Sequence, residues 1–267
     1  MNLIFIGGGT MAESVIRGAL ANKLLGPENI SVCDISSKRC KTLIGLYKIS
    51  ADTKLPSVIT RGELVILAVK PQNFHELSGE LASLLNQGQT VVSVMAGITI
   101  SSLQKNLCHK SIIRVMPNTP SQIGRGISVW MASSSVKSSS VSNAKRLIQT
   151  LGLEIRVSVE RYIDMATALS GSGPAFVFSF IESMVDAGVY LGLTRDMSHQ
   201  LALQTVLGSA QLMENSGKHP AALRNMVTSP GGTTAEGLLA LEESGFRTAI
   251  LNAVTAAYEK SLNLGRS

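Results

Sequence analysis

Charge is scarce in this chain. Of its 267 residues only 16% are Asp, Glu, Lys or Arg, against 45% apolar, and the mean hydropathy is +0.24. A globular chain so poor in charge usually hides surface against another copy. Aromatics make up only 4%, with a single Trp. The net charge is +6, but the Lys and Arg residues are scattered rather than gathered into a run interleaved with aromatics. Nucleic-acid binding needs such a concentrated stripe, so no nucleic-acid partner is expected. Cysteine is also sparse: Cys33, Cys40 and Cys108 are odd in number and lack metal-ligand spacing. That suits a reducing cytoplasm with unpaired thiols. The four histidines, His75, His109, His199 and His219, do not cluster, and no metal site is expected. Long uninterrupted apolar runs are missing too. The most apolar segment, residues 175–193, carries Glu182 and Asp186 in its middle, which reads as a core helix rather than a membrane span. The first residues, Met1-Asn2-Leu3-Ile4, show no basic segment ahead of an apolar stretch, so no signal peptide is expected.

What is present divides the chain in two. In the first half, short apolar runs at 3–6, 30–34, 64–69, 91–94 and 112–115 alternate with helical patterns at 11–22, 37–46, 74–85 and 100–107. Continuous apolar strands alternating with helices imply a parallel sheet covered on both faces. Residues 126–131 and 154–157 read as further strands at one side, and the Ser-rich stretch 133–142 as an exposed turn leading into a helix cap. After about Glu160 the strands stop. Pro174 marks the start of a long helix that Ser172 could cap, with Phe176, Phe180 and Met184 on one ridge and Val177, Ile181 and Val185 on the next. Helical patterns at 197–215, 220–226, 235–243 and 246–262 complete an all-α half. The expected division is a dinucleotide-binding Rossmann-type α/β domain over 1–159 and an all-helical dimerisation and substrate domain over 160–267.

The strand 3–6 runs into Gly7-Gly8-Gly9-Thr10-Met11-Ala12, which fits Gly-x-Gly-x-x-Gly/Ala between a strand and a helix. Gly7 permits the tight turn, Gly9 lets a pyrophosphate approach the backbone, and Ala12 allows close helix–strand packing. The candidate cofactor contacts here are Ile6, Gly7, Gly8, Gly9, Thr10 and Met11. Asp34 ends the second strand, where an acid holds ribose hydroxyls and favours NAD. Ser36, Ser37, Lys38 and Arg39 follow and suit the 2′-phosphate of NADP; equally, Asp34 could cap the next helix with Lys38 and Arg39 in solvent. Ends of parallel strands line the ligand crevice, which adds Ala68, Val69, Lys70 and Pro71, then Val94, Met95 and Ala96, then Asn118. Lys70 reads better as a cation near phosphates or in solvent than as a general acid.

Far along the chain, Ser229-Pro230-Gly231-Gly232-Thr233-Thr234 suits no regular element. It offers a turn with amide donors and three hydroxyls leading into a helix, the arrangement that holds a small carboxylate.

Together these strings resemble the successive signatures of the pyrroline-5-carboxylate reductase family. They are Ile6 to Ala12, Ala68-Val69-Lys70-Pro71, Met116-Pro117-Asn118-Thr119-Pro120, Ser170-Gly171-Ser172-Gly173-Pro174-Ala175 and Ser229 to Thr234, with His219-Pro220 upstream of the last. The resemblance runs in order through essentially the whole chain. It implies a Rossmann domain followed by a helical dimerisation domain, with helices of two subunits interleaved and dimers often assembled into a decamer. It implies reduction of the cyclic imine 1-pyrroline-5-carboxylate to L-proline. For the cofactor, Ser36, Lys38 and Arg39 favour NADPH and Asp34 opposes it, so NADPH is expected with NADH also possible. By the motif match, Ser229 and the amides around Gly232 and Thr233 would hold the substrate carboxylate, and Thr234 the ring nitrogen, as the catalytic hydroxyl. Phe176 stands where the family usually has Tyr, Leu55 where many members have Asn, and Asp34-Ile35 in place of an Asn-Arg or Thr-Pro type of pair. The alternatives weighed are a 3-hydroxyacid dehydrogenase or another cyclic-imine reductase, and a non-catalytic nucleotide-sensing protein. A hydroxyacid enzyme needs a Lys or His base, and neither Lys218, Lys260, His199 nor His219 lies in an obvious catalytic motif. The hydroxyl turn that a sensor could lose is intact.

Overall fold

The computed structural model describes residues 1–59 and 62–264. Among them, eight strands form one sheet in the order β3-β2-β1-β4-β5-β6-β7-β8. The strands are β1 (Leu3–Ile6), β2 (Ile30–Cys33), β3 (Ser50–Asp52), β4 (Leu64–Leu67), β5 (Thr90–Ser93), β6 (Ile112–Met116), β7 (Gly126–Ala132) and β8 (Gly152–Arg156). All neighbours pair in parallel except β6 and β7, which run antiparallel.

The interleaved helices are α1 (Thr10–Ala21), α2 (Ser37–Tyr47), α3 (Leu55–Ile59), α4 (Pro71–Leu84), α5 (Ile100–Leu107) and α6 (Ser138–Gln149). The alternation of β1 shows why its strand is apolar throughout. Leu3 and Phe5 point into one core with Val15 and Ile16 of α1 and Leu147 of α6. Ile4 and Ile6 point into the other, with Phe74 of α4 and Leu103 of α5. With both faces covered, every residue of β1 is at most 3% exposed, as parallel sheets require. The expected α/β fold is therefore what is observed.

After the sheet come α7 (Arg161–Ala166), a π turn over Thr167–Gly171, α8 (Gly173–Tyr190), α9 (Arg195–Ser216), α10 (Pro220–Met226), α11 (Thr233–Glu243) and α12 (Phe246–Leu264). By contacts the chain divides into two compact units, Met1–Ser172 with the chain from Ala257 onward, and Gly173–Ala256. Within the first unit, β6 carries Arg114 at 1% exposure. Its guanidinium pairs with Glu160 (2.9 Å) and Asp164 (2.6 Å), and Asp164 also accepts the Ser261 hydroxyl (3.5 Å). In the second unit α8 and α9 approach closely at small residues: a Cβ on Gly188 would lie 2.6 Å from Ser198 Oγ.

One strand is additional and two expectations are corrected. β3 was not anticipated, because Ser50-Ala51-Asp52 is a short, half-exposed edge with no apolar run. Ser172 does not cap α8: it continues the preceding turn with helical dihedrals, and its hydroxyl donates back to the Thr167 carbonyl (3.3 Å). Nor is α8 a core helix with buried charges within one chain. Glu182 and Asp186 are exposed, Asp186 pairing with Arg195 at 3.0 Å, and Val177, Phe178 and Phe180 are exposed as well.

Candidate active site

The glycine loop is shaped by one close approach and one opening. Gly7 has φ +92°, and a Cβ there would sit 2.8 Å from the Ala68 carbonyl oxygen, so only glycine fits between β1 and the end of β4. Its N–H donates to Cys33 O at 2.8 Å. At Gly9 the situation reverses: a Cβ would meet nothing within 4 Å. Gly9 is the N-cap of α1 and supplies no side-chain cap. Beside that opening, the first amides of α1, from Thr10 onward, have no intrahelical acceptor by position. Orphan helix donors and the helix dipole make that a place for phosphate. Ala12, fully buried, brings α1 down onto the sheet.

The space in front of the loop is a cleft of about 1040 Å3 at the carboxyl ends of β1, β2 and β4, lined among others by Ile6, Gly7, Gly9, Asp34, Val69 and Lys70. It lies where the strand order reverses, between β1 and β4, the position at which such sheets bind dinucleotides. Ala68 lines it too, whereas Gly8, Thr10, Met11, Ser36, Pro71, Val94, Met95, Ala96 and Asn118 are not among its lining residues. Pro71 is the first residue of α4, with Lys70 as N-cap, and borders a separate cavity of about 740 Å3. Met95 is buried, its N–H on Ser93 Oγ at 3.3 Å, and the Asn118 side chain accepts the Ile127 N–H at 2.9 Å, a structural tie. Lys54, Ser57, Asn73 and Glu76 line the cleft without having been singled out from the sequence. Lys54 and Ser57 follow the unanticipated β3, and Asn73 and Glu76 are polar positions of an ordinary-looking helix.

Asp34 is held firmly. Its Oδ2 accepts the Gly8 N–H at 2.7 Å and its Oδ1 accepts the Ser36 N–H at 2.9 Å. It does not cap α2; Ser36 does, accepting the Arg39 N–H at 3.3 Å. Lys38 is exposed, whereas Arg39 turns inward and donates to the Gly8 carbonyl and to Glu13, which also accepts the Tyr47 hydroxyl at 2.7 Å. The Arg39 guanidinium, helped by Tyr47 against the cost of burial, holds the Glu13 carboxyl below its usual pKa. Cys33, at the cleft wall, is pushed up to about 11, first by burial and then by Cys40. Its thiol stays neutral and is no nucleophile.

In the second unit, the Gly232 N–H donates to Ser229 O at 3.0 Å, closing a turn with Pro230 and Gly231 at its centre. Gly231 has φ +67°, so Pro followed by a left-handed glycine gives the pattern of a type II turn. Gly232 then caps α11 with its backbone alone. A Cβ on Gly232 would lie 2.4 Å from Ser229 Oγ, so glycine leaves room for that hydroxyl. Thr233 and Thr234 are the first two helical residues, and their amides have no intrahelical acceptor by position. Among the described residues the hydroxyls of Ser229, Thr233 and Thr234 make no hydrogen bond within the chain. Thr234 thus lies inside the helix and does not cap it, which frees its half-buried hydroxyl for a ligand. His219, by contrast, is used: its Nδ1 caps α10 by accepting the Ala221 N–H at 3.2 Å.

The chain matches known proteins along its whole length. Residues 160–264 match the family model described as pyrroline-5-carboxylate reductase dimerisation, and residues 2–97 match one described as NADP oxidoreductase coenzyme F420-dependent. The chain is 39% identical over 266 residues to a pyrroline-5-carboxylate reductase of Synechocystis, covering 100% of this chain and 99% of that one. It is 37% identical to the Escherichia coli protein of the same name, with 98% of each covered. Among solved structures, the pyrroline-5-carboxylate reductase of Coxiella burnetii superposes with a TM-score of 0.90 at 33% identity, covering 100% of this chain and 99% of that one. The Plasmodium falciparum pyrroline carboxylate reductase, solved with NADP bound, also gives 0.90, at 31% identity and with 99% and 98% covered.

Proposed function

This chain belongs to the pyrroline-5-carboxylate reductase family, and from that premise we propose how its residues divide the work of an NAD(P)H-dependent imine reductase. The reaction reduces 1-pyrroline-5-carboxylate to L-proline, the last step of proline biosynthesis. Residues 1–159 serve the dinucleotide and residues 160–267 serve dimerisation and substrate binding. The observation that carries the reading is the Ser229–Thr234 turn, with three hydroxyls unspent inside the chain and fresh amides at the start of an 11-residue helix.

The residues of the cleft fit a dinucleotide: Gly7 clears the backbone, Gly9 leaves open space, and the uncapped start of α1 presents donors. Ile6, Gly8, Thr10 and Met11 complete that loop, and Asp34 and Ser36 stand at the adenosine ribose. Ala68 to Pro71, Val94 to Ala96 and Asn118 continue along the carboxyl edge of the sheet. The bound nicotinamide supplies hydride. A carboxylate-bearing cyclic imine is held by Ser229 Oγ and by the amides of the Gly232–Thr233 segment, assisted by the N-terminal end of the α11 dipole. The Thr234 hydroxyl holds the ring nitrogen, orienting the imine and following the change in charge and basicity at that atom. A protonated imine is already electrophilic, so orientation supplies much of the rate. The second unit's Lys and His residues are placed elsewhere: His219 is a cap, His199 is exposed and the exposed Lys218 lies against Met226 Sδ at 3.6 Å, which disfavours a hydroxyacid dehydrogenase.

NADPH serves with NADH as an alternative, the protein works in the cytoplasm as a homodimer able to assemble into a decamer, and neither nucleic acid nor membrane is a partner. No helix among the described residues is long and apolar enough to cross a membrane. The test is cofactor oxidation followed by absorbance, with pyrroline-5-carboxylate against a 3-oxoacid. Turnover of the imine with proline as product is expected; turnover of the oxoacid alone, or of neither, would overturn the reading.

A further inference from the structure

Both backbone groups of Gly8 are clasped by charged side chains. Asp34 Oδ2 takes its N–H at 2.7 Å, and Arg39 Nε donates to its carbonyl oxygen. Asp34 and Arg39 therefore bond to the two backbone groups of one residue of the glycine loop. A guanidinium in that neighbourhood is what accommodates a 2′-phosphate, while an acid there suits the free 2′-hydroxyl. Arg39, however, is already committed. Its Nη2 is paired with Glu13 Oε2, and Glu13 is itself anchored from the other side by the Tyr47 hydroxyl at 2.7 Å. The Glu13 carboxyl is kept charged by that pairing. Each member lies on a different stretch of the fold: Glu13 in α1, Arg39 in the first turn of α2 and Tyr47 at its end. The guanidinium is held by packing helices rather than by a flexible surface neighbour, with Arg39 and Glu13 each about a quarter exposed (26% and 25%).

We propose that Glu13 sets the cofactor selectivity of this reductase by holding Arg39 on the glycine loop and away from the 2′ position of the adenosine ribose. With Arg39 engaged, a 2′-phosphate is left to the exposed Lys38, the Ser36 and Ser37 hydroxyls and the cleft-lining Lys54, and Asp34 remains suited to a 2′-hydroxyl. The site accepts both cofactors because its strongest phosphate ligand is withheld. Releasing Arg39 sharpens it toward the phosphorylated one, since a guanidinium–phosphate pair is among the stronger charge-assisted contacts.

The inference rests on the reading of the cleft as the adenosine site, and its test separates the two. Titration calorimetry on the intact protein compares adenosine 2′,5′-bisphosphate with 5′-AMP, ligands that differ only in the 2′-phosphate. The ratio of kcat/KM for NADPH and NADH is measured alongside. Glu13→Gln keeps the shape of the side chain while dropping its charge, and the preference for the bisphosphate is expected to rise about tenfold. Arg39→Ala alone is expected to weaken both ligands alike and leave their ratio unchanged. The double variant Glu13→Gln with Arg39→Ala is expected to return the ratio to that of the wild type. An unchanged ratio in Glu13→Gln, or the same rise in the double variant, would overturn the proposal, the latter by showing that only the charge of Glu13 matters. A ratio that collapses in Arg39→Ala would overturn it too, because Arg39 would then already bear the phosphate. Arg39→Ala gives its answer whether or not Glu13→Gln folds. Wild-type protein that binds neither adenosine ligand would overturn the reading of the cleft itself.

Discussion

The two units differ most in what they bury. In the first, whole strands vanish from solvent: Ile4, Phe5, Val65 and Leu67 are all fully buried, with helices on both faces of the sheet. In the second, Gly173–Ala256, the only apolar residues buried among the described ones are Val185 and Ala202, while Phe178, Leu201, Leu212 and Leu251 are each more than half exposed. One aromatic pair, Phe180 with Phe246 at 6.3 Å between centroids, ties α8 to α12. A monomer does not display so much apolar surface without a reason. The first unit carries its own core in one chain, whereas the helical unit is built as half of a core that a second copy completes, in keeping with the dimerisation family that residues 160–264 match.

The largest effect expected from this contrast is at exposed apolar positions of α9. Leu203 and Leu207 are 39% and 45% exposed in the single chain, so charges there would cost little if the chain worked alone. With Leu203→Glu and Leu207→Glu together, loss of the dimer and of activity is expected. Burying two carboxylates costs on the order of several kcal/mol. Light scattering reads the outcome, and an active dimer in the variant would break the comparison.

A smaller effect is expected inside the self-sufficient unit. Gly7→Ala places a methyl 2.8 Å from the Ala68 carbonyl at a residue with φ +92°. The expected cost is about 1–3 kcal/mol of stability, with weakened cofactor binding and an unchanged oligomer. Thermal melts and cofactor titration check it; normal cofactor affinity would mean that the loop can shift without consequence.

The smallest effect concerns Glu13. Its folded-state pKa is lowered, chiefly by Arg39. The stability it contributes is therefore fully present above its unfolded pKa and is lost as pH falls through the lowered folded value. Since the pair is partly exposed, the contribution is at most about 1 kcal/mol. Denaturant melts between pH 6 and the acid limit, set roughly by the carboxylate range near 4, should show a shallower decline in Glu13→Gln than in the wild type. Identical declines would show that the pair adds nothing to folding.

The legibility of the sequence follows the same division. Apolar strands buried on both faces are conspicuous as runs, so β1, β2, β4, β5 and β6 could be read off. The half-exposed edge Ser50–Asp52 could not, and with it the cleft residues Lys54 and Ser57 were missed. The glycine loop was legible because its constraints are steric and local, at Gly7 and Gly9. The Arg39–Glu13–Tyr47 arrangement was not, since it joins residues 26 and 34 positions apart and each reads alone as a surface residue. Arg114 was hidden for a related reason: one basic residue in Ile112–Met116 gives no sign that Asp164 and Glu160 will meet it in the interior. The hydroxyl turn was legible as chemistry, but only the structure shows that Gly232, not Thr234, ends the loop and caps α11.

That last point gives the most direct test of the central claim, that Thr234 serves the substrate and not the fold. Thr234→Val keeps the shape and removes the hydroxyl, at a position where no partner within the described chain is lost. The steady-state kinetics of pyrroline-5-carboxylate reduction should show kcat lowered roughly ten- to hundredfold, the value of one hydrogen bond to a charged partner. Cofactor affinity and melting temperature should stay as in the wild type. Ser229→Ala, measured beside it, should instead raise KM, because the carboxylate is already held in the ground state. An unaltered kcat in Thr234→Val, or a loss accompanied by an equal loss of thermal stability, would contradict the account.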